Sequence, residues 1–245
     1  MHLLLVGATS SIAEHCARLW LQRGVSRVTL VGRVGSRLQP VAADLRARCP
    51  GVKILEVEAD FTNTDQIRHV ITTANETSAV EIALVAHGNL PDQVECQSEP
   101  ALVADALWTN GVSAVLFAEI LARAMSGREA QLGIISSVAG DRGRKSNYVY
   151  GSAKSLVSTY IEGLQHRLAG DSLRISLIKP GPVRTPMTEH VDPQPQGLAE
   201  VEAVARDIVD SMAKGRRIIY TPGRWALIML IIRHLPFIVF SKLNI

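Results

Sequence analysis

Short apolar runs alternate with stretches of helical periodicity along most of this chain, and nothing else in the sequence limits its fold as strongly. Residues 2–6 are continuously apolar and stop at Gly7, as suits a strand buried on both faces. Residues 11–23 place Ile12, Cys16, Leu19 and Trp20 at helical spacing, and Gly24 follows as a C′ residue. The pairing then repeats. Strands are expected at 28–31, 52–57, 80–86, 132–136, 173–178 and 217–220. Helices are expected at 38–48, 65–73, 101–125 with a break near Thr109-Asn110-Gly111, 148–168 ending near Gly170, and 199–213. Pro180-Gly181-Pro182 stops one strand, and the proline-rich stretch 186–197 reads as a flexible loop long enough to act as a lid.

Strand–helix alternation of this length predicts the α/β class, with a Rossmann-type doubly wound parallel sheet of about seven strands and helices on both faces. With 245 residues, 47% of them apolar and 20% charged, the chain has ample core material for one large domain. Residues 1–220 are expected to form a single dinucleotide-binding catalytic domain, and 221–245 an appendage. Cys16, Cys49 and Cys96 are widely spaced and form no CxxC pair. They read as three buried thiols in a reducing compartment, with no disulfide framework and no metal site. Aromatic content of 4% argues against stacking platforms for single-stranded nucleic acid.

Charge is unevenly distributed. The net charge is +3, yet no acidic residue follows Asp210. The tail beyond it holds Lys214, Arg216, Arg217, Arg224, Arg233 and Lys242, which leaves 20 basic against 23 acidic groups in residues 1–210. A net acidic body is a poor nucleic-acid binder. The tail is also very apolar, around Trp225, Leu227, Ile228, Leu230, Ile231 and Phe237. Two readings fit it: a surface for peripheral contact of residues 222–245 with anionic lipid, or a segment packed on the domain or on a second copy. Arg233, His234 and Pro236 interrupt it, so the tail has no run of spanning length. The apolar start is short and lacks a basic lead, so no secretory leader is expected.

The turn from the first strand into the first helix reads Gly7-Ala8-Thr9-Ser10-Ser11-Ile12-Ala13. A pyrophosphate is at home at such a helix N-terminus, where backbone N–H groups and the dipole favour an anion. Gly7 permits the sharp turn, and Thr9, Ser10 and Ser11 add hydroxyl donors. The strict glycine fingerprint is degraded at Ser11 and Ala13, and a plain strand–helix turn fits as well. Arg33, at the end of the second strand, suits the 2′-phosphate of NADP or is a solvated arginine. Asp60 is placed to accept from an adenine amino group, or is an ordinary turn aspartate. Tyr150 and Lys154 are four apart and share a helix face, so an ammonium there can stabilise a phenolate. Asp141-Arg-Gly-Arg-Lys145 places three cations just before that tyrosine, either solvated or available to a substrate phosphate.

The motifs GATSSIA at 7–13, Asn110, SSVAG at 136–140, YGSAK at 150–154 and PGPVRT at 180–185 occur in order over essentially the whole chain. In this the sequence resembles the short-chain dehydrogenase/reductase family. The resemblance implies a catalytic set of Ser137, Tyr150 and Lys154 with Asn110 as fourth member. Tyr150 would protonate a carbonyl oxygen and Ser137 would hydrogen-bond it. Lys154 would lower the tyrosine pKa and hold the nicotinamide ribose, and Asn110 would fix a water. The cofactor positions so implied are Gly7, Thr9, Ser10, Ser11, Ile12, Arg33, Asp60, Phe61, Ala86, Gly88, Tyr150, Lys154, Pro180, Val183 and Thr185. NADP(H) is preferred, with NAD(H) as the alternative. His87 stands where the family has asparagine and reads as a structural replacement. A homodimer or homotetramer through the helices at 101–125 and 148–168 is expected.

Within the family, RGRKSNYVYGSAK at 142–154, KPGPVRTPMTEH at 179–190 and the tail at 224–245 look most like decaprenylphosphoryl-2-keto-ribose reductases. That implies a polyprenyl-phosphate-linked keto-sugar substrate and a cytoplasmic location at the inner face of the membrane. Those enzymes are associated with NADH, which pulls against Arg33. The alternative is a soluble NADP(H) reductase of a small ketone that uses its tail to form oligomers.

Overall fold

The computed structural model describes residues 1–189 and 197–243. Seven strands among them form one all-parallel sheet: β1 (His2–Val6), β2 (Arg27–Gly32), β3 (Lys53–Glu58), β4 (Ile82–Val85), β5 (Ala130–Ile135), β6 (Leu173–Pro180) and β7 (Ile218–Thr221). Their order is β3-β2-β1-β4-β5-β6-β7, so the winding direction reverses between β1 and β4. In open sheets of this kind the ligand crevice lies beyond the strand carboxyl ends at that reversal.

Two apolar layers cover the sheet. On one face Leu3, Leu5, Val28 and Leu30 meet α1 (Ser11–Gln22), α2 (Leu38–Arg48) and α9 (Val201–Ala213). On the other, Leu4, Val6, Leu132 and Ile134 meet α3 (Thr64–Thr77), α6 (Ser113–Met125) and α7 (Tyr148–Arg167). This alternation explains the unbroken apolar strands: consecutive residues feed opposite cores. The helix α1 ends as expected, with Gly24 at φ +91°.

Three features differ from the sequence reading. The short helix α4 (Gln93–Ser98) was not anticipated. Its six residues are too few to show a periodicity, and it starts because the Asp92 carboxylate accepts from the N–H groups of Val94 and Glu95. The expected break near Asn110 is a π turn at Trp108–Val112, set between α5 (Pro100–Leu107) and α6, so the helical path continues with one widened turn. Residues Pro100–Met125 are long and apolar enough to cross a membrane by length and composition alone. In the fold the inner face of α6, including the fully buried Phe117 and Leu121, belongs to the core. Finally, β6 runs through Pro180, two residues beyond the expected end.

The thiols of Cys16 and Cys96 are buried, whereas Cys49 is half-buried at the core margin, because it lies just past the last turn of α2. Of the predicted lid, Pro186–Glu189 form a helical turn, α8, and residues 190–196 lie outside the described residues. The tail forms α10 (Arg224–His234) and α11 (Phe237–Phe240), with residues 244–245 outside the described residues. It is anchored on one side: Met229 is fully buried, and α10 packs against β7 and the turn at Val138–Asp141.

Candidate active site

The first strand leaves the sheet at Gly7, whose φ is +79°. A Cβ there would fall 2.6 Å from the His87 backbone, so only glycine lets this turn pass the end of β4. The N–H groups of Gly7 and Ala8 donate to the Val31 carbonyl at 2.9 and 3.0 Å, which pins the loop to β2. Ser10 is the N-cap of α1, but its hydroxyl makes no capping bond. The N–H groups of Ser11, Ile12 and Ala13 lead the helix and have no partner within it. This is a backbone cradle with spare donors, and it fits a pyrophosphate. Thr9 is exposed at its rim.

A groove follows beyond β2 and β3, lined by Arg33, Val34, Asp60, Phe61, Thr62 and Trp108. The Arg33 guanidinium makes no hydrogen bond or ion pair with the described residues and faces solvent. Asp60 caps its own turn, accepting from the Thr62 N–H at 2.8 Å and the Thr62 hydroxyl at 2.7 Å through one oxygen. Those bonds hold its carboxyl below the usual range. Phe61 borders the groove with its ring buried edge-on against His87 and Phe117, both at 4.9 Å, and its carbonyl accepts from the Trp108 indole. A large apolar ring at that position gains more by joining the core than by lining a wet groove.

The predicted catalytic residues converge on one helix. Strand β5 ends at Ile135, and Ser137 opens a single 3₁₀ turn, Val138–Asp141. That turn presses on α7. A Cβ on Gly140 would fall 2.6 Å from the Lys154 backbone carbon, and one on Gly151 2.9 Å from the Ala139 carbonyl oxygen. From below, Ser136 Oγ donates to the Lys154 carbonyl at 2.8 Å. These contacts set Ser137 close enough to the Tyr150 phenol to act against its raised pKa. Lys154 Nζ lies 5.7 Å from the Tyr150 ring centre and donates to the Ile135 carbonyl at 3.2 Å.

Asn110 sits in the π turn, fully buried, with Gly111 packed on the Ala153 backbone. Its amide donates to Asn89 Oδ1 at 2.7 Å and to the Ala106 carbonyl at 3.1 Å, and its oxygen accepts from the Asn89 N–H at 2.9 Å. Both amide hydrogens are thereby used within the fold. Its geometry is that of a brace for the Gly88–Asn89 turn. A Cβ on Gly88 would meet Asn110 Oδ1 at 2.7 Å and Lys154 Nζ at 3.6 Å. Ala86 is buried and donates its N–H to the Val6 carbonyl at 2.8 Å, extending β4 toward this turn. His87 shares a 2.7 Å hydrogen bond with Ser113 Oγ, and burial holds it neutral, with its pKa lowered to about 3.

Beyond β6, Val183 is buried and bridges to Ala199, while Thr188 Oγ1 donates to the carbonyls of Val183 and Thr185. The Thr185 N–H donates to the same hydroxyl oxygen, Thr188 Oγ1, at 3.2 Å. Pro180 ends the strand, and the Trp225 indole lies directly on Gly181.

Desolvation dominates the electrostatics. Burial pushes the Tyr150 phenol up to about 12, with Ser137 and Arg144 acting in the opposite direction. Burial lowers Lys154 to about 8. The expected lowering of Tyr150 by Lys154 is therefore not what this site shows. Its ammonium is turned toward the Ile135 carbonyl, and the cation that acts on the phenol is Arg144.

Residues 1–196 match the profile of the short chain dehydrogenase family. An uncharacterized oxidoreductase of Mycobacterium tuberculosis is 33% identical over 248 residues, covering 98% of this chain and 96% of that protein. The chain belongs to the short-chain dehydrogenase/reductase family. It is thus an NAD(P)-dependent oxidoreductase of CH–OH groups. An uncharacterized oxidoreductase of Streptomyces coelicolor is 28% identical over 246 residues, covering 98% of this chain and 95% of its own. A short chain dehydrogenase from Burkholderia cenocepacia in complex with NADP shares the fold, with a TM-score of 0.81 at 17% identity over 100% of this chain and 97% of that one. One from Burkholderia phymatum in complex with NAD gives 0.79 at 21% identity, over 94% and 91%.

Sequence reasoning missed several residues that shape this dehydrogenase site. The Asp141 carboxylate, buried with Lys179, accepts from Lys179 Nζ at 2.7 Å and from the Tyr220 hydroxyl at 2.7 Å. Asn89 holds Asn110, and Arg142 is not a free cation. It donates to the Ile232 carbonyl, to the Leu235 carbonyl at 2.7 Å, and lies 3.8 Å over the Phe240 ring. These partners are distant in sequence, so local spacing carries no trace of them.

Lys154 provides a pH test. Its folded pKa, about 8, lies below the unfolded lysine value of ~10.4. Between these limits the unfolded state binds more protons, so stability rises with pH across that window. Lys154→Met removes this slope. Its stability relative to the parent chain, measured by urea unfolding, is expected to fall by about 1–3 kcal/mol between pH 8 and 10.5. A flat difference would show that the lysine is not held down by burial.

Proposed function

We infer that this dehydrogenase works as a carbonyl reductase in which Tyr150 is the proton donor. One observation carries the reading: Ser137, Tyr150 and Lys154 are packed around one turn of α7 at the carboxyl end of β5, beside the phosphate cradle of β1. A phenol held near 12 keeps its proton at neutral pH, which suits donation to a carbonyl oxygen as it becomes an alkoxide. The Ser137 hydroxyl donates to the same oxygen and orients it. Lys154 holds the nicotinamide ribose, and Asn110 positions the turn beside it. The N–H groups at Ser11 and Ile12, with the hydroxyls of Thr9, Ser10 and Ser11, hold the pyrophosphate. Pro180, Val183 and Thr185 border the nicotinamide. The cofactor, when bound, supplies the hydride. Tyr150→Phe is expected to lower kcat by about 10²–10⁴-fold in NAD(P)H oxidation with a ketone present. Unchanged turnover would remove Tyr150 from the chemistry.

NADP(H) is the preferred cofactor. Arg33, unpaired among the described residues, is available to a 2′-phosphate. Arg33→Asp is expected to weaken NADPH binding at least tenfold and spare NADH, read by fluorescence titration. NADH binding at least as well as NADPH, with no change in Arg33→Asp, would refute this role for Arg33.

The substrate is a polyprenyl-phosphate-linked keto-sugar or a ketone of similar amphiphilic build, met on the cytoplasmic face of the membrane. The tail supports this. Leu227, Leu230, Ile231, Phe237 and Ile238 are each more than half exposed, while Arg224, Arg233 and Lys242 lie among them with no acid. Such a surface suits anionic lipid. Full-length protein is expected to float with phosphatidylglycerol vesicles and to be released by Leu227→Glu with Phe237→Glu. Failure to float, with the tail burying itself in an oligomer, would favour a soluble reductase of a small ketone. Leu156 and Tyr160 on the outer face of α7 support a homodimer or homotetramer through α6 and α7.

A further inference from the structure

The loop between the Ser137 turn and Tyr150 contains three cations, and the fold treats each differently. Arg142 is spent on the tail, on the carbonyls of Ile232 and Leu235 and the ring of Phe240. Lys145 is exposed. Arg144 is drawn inward: its Nε is shut off from solvent and has no hydrogen-bond partner, and the guanidinium makes no ion pair with the described residues. Its charge acts on Tyr150 and Asp141. Asp141 has little to offer it, because one carboxylate oxygen accepts from Lys179 and the other from Tyr220.

A shielded guanidinium N–H without an acceptor is costly, and folds keep such a group where a ligand completes it. Moving Arg144 out to solvent would be easy for a loop residue with exposed neighbours at Gly143 and Lys145. It is held instead beside the phenol that acts on the carbonyl. A planar, forked cation in that position matches an oxyanion with two acceptor oxygens.

We propose that Arg144 is a specificity-determining residue that receives an oxyanionic group of the substrate, a phosphate or carboxylate set a few bonds from the reacting carbonyl. The proposal rests on the reductase reading above and adds to it the residue that selects the substrate. Arg142, one turn of loop away, then belongs to the tail, and Arg144 to the ligand. The two arginines divide the loop between anchoring the protein's own C-terminal segment and reading a bound anion.

The test uses two ketones of one alkyl chain, a 2-oxoalkylphosphonate and its neutral dimethyl ester, with the full chain and NADPH. The parent protein is expected to favour the phosphonate at least tenfold in kcat/KM, mostly through KM. In Arg144→Leu both ketones are expected to slow, because the charge beside the phenol is lost, and the phosphonate to lose at least tenfold more in kcat/KM than the ester, so that the preference vanishes; Arg144→Lys is expected to recover part of it. Calorimetric binding of the phosphonate to the NADP⁺-loaded chain gives a readout without turnover, and should weaken at least tenfold in Arg144→Leu. No preference in the parent, or an equal loss on both ketones, overturns the proposal; an equal loss would mean that Arg144 acts on the phenol alone. If neither ketone is reduced but phosphonate binding still needs Arg144, the anion site stands and the reductase reading fails. If Arg144→Leu does not fold, the lysine variant decides alone: a preference equal to the parent's would refute a role for the fork.

Discussion

The site depends on one close contact, the 3₁₀ turn after β5 pressed against the first turns of α7. Gly140 lies over the Lys154 backbone and Gly151 under the Ala139 carbonyl, at separations no Cβ could occupy. A side chain at either place would push the turn off the helix and take Ser137 away from Tyr150. The Ser136 hydroxyl fastens the same region from the strand side through the Lys154 carbonyl. The small residues around the serine and the tyrosine are therefore part of the geometry of this candidate site, although they carry no chemistry of their own.

Water exclusion then sets the protonation states. The same burial raises a phenol, lowers an ammonium and keeps His87 neutral. The result is a neutral acid next to a cation that gives up its proton readily. Arg144 is the charge that opposes burial at the phenol, a role that reading Tyr150 and Lys154 as an isolated helical pair would give to the lysine.

The tail is tied into this arrangement at two points. Trp225 lies on Gly181 beside the end of β6, and Arg142 holds the carboxyl end of α10 from the loop that leads to Tyr150. The inner side of α10 is thus fixed by residues of the active-site loops, and the outer side is left apolar. The buried Asp141–Lys179–Tyr220 cluster joins the same loop to β6 and β7. The Asp141–Lys179 pair is dry enough that removing either partner would strand a charge.

Local periodicity determined the strands, most helix limits and the class of fold, because each element of a doubly wound sheet buries a face that its own residues encode. Leu38–Arg48 and the Gly24 stop of α1 were legible for that reason. Ser137, Tyr150 and Lys154 stood out through the family resemblance of SSVAG and YGSAK, and they lie on one strand end and one helix face. Only the tertiary structure decided what those residues face. It turned the Phe61 ring into the core, closed the Asn110 side chain on Asn89, gave Arg142 to the tail, and left Arg144 shielded without a partner. Each of these outcomes depends on groups brought together from distant parts of the chain. Desolvation, which sets the chemistry of the site, exists only once the chain has packed.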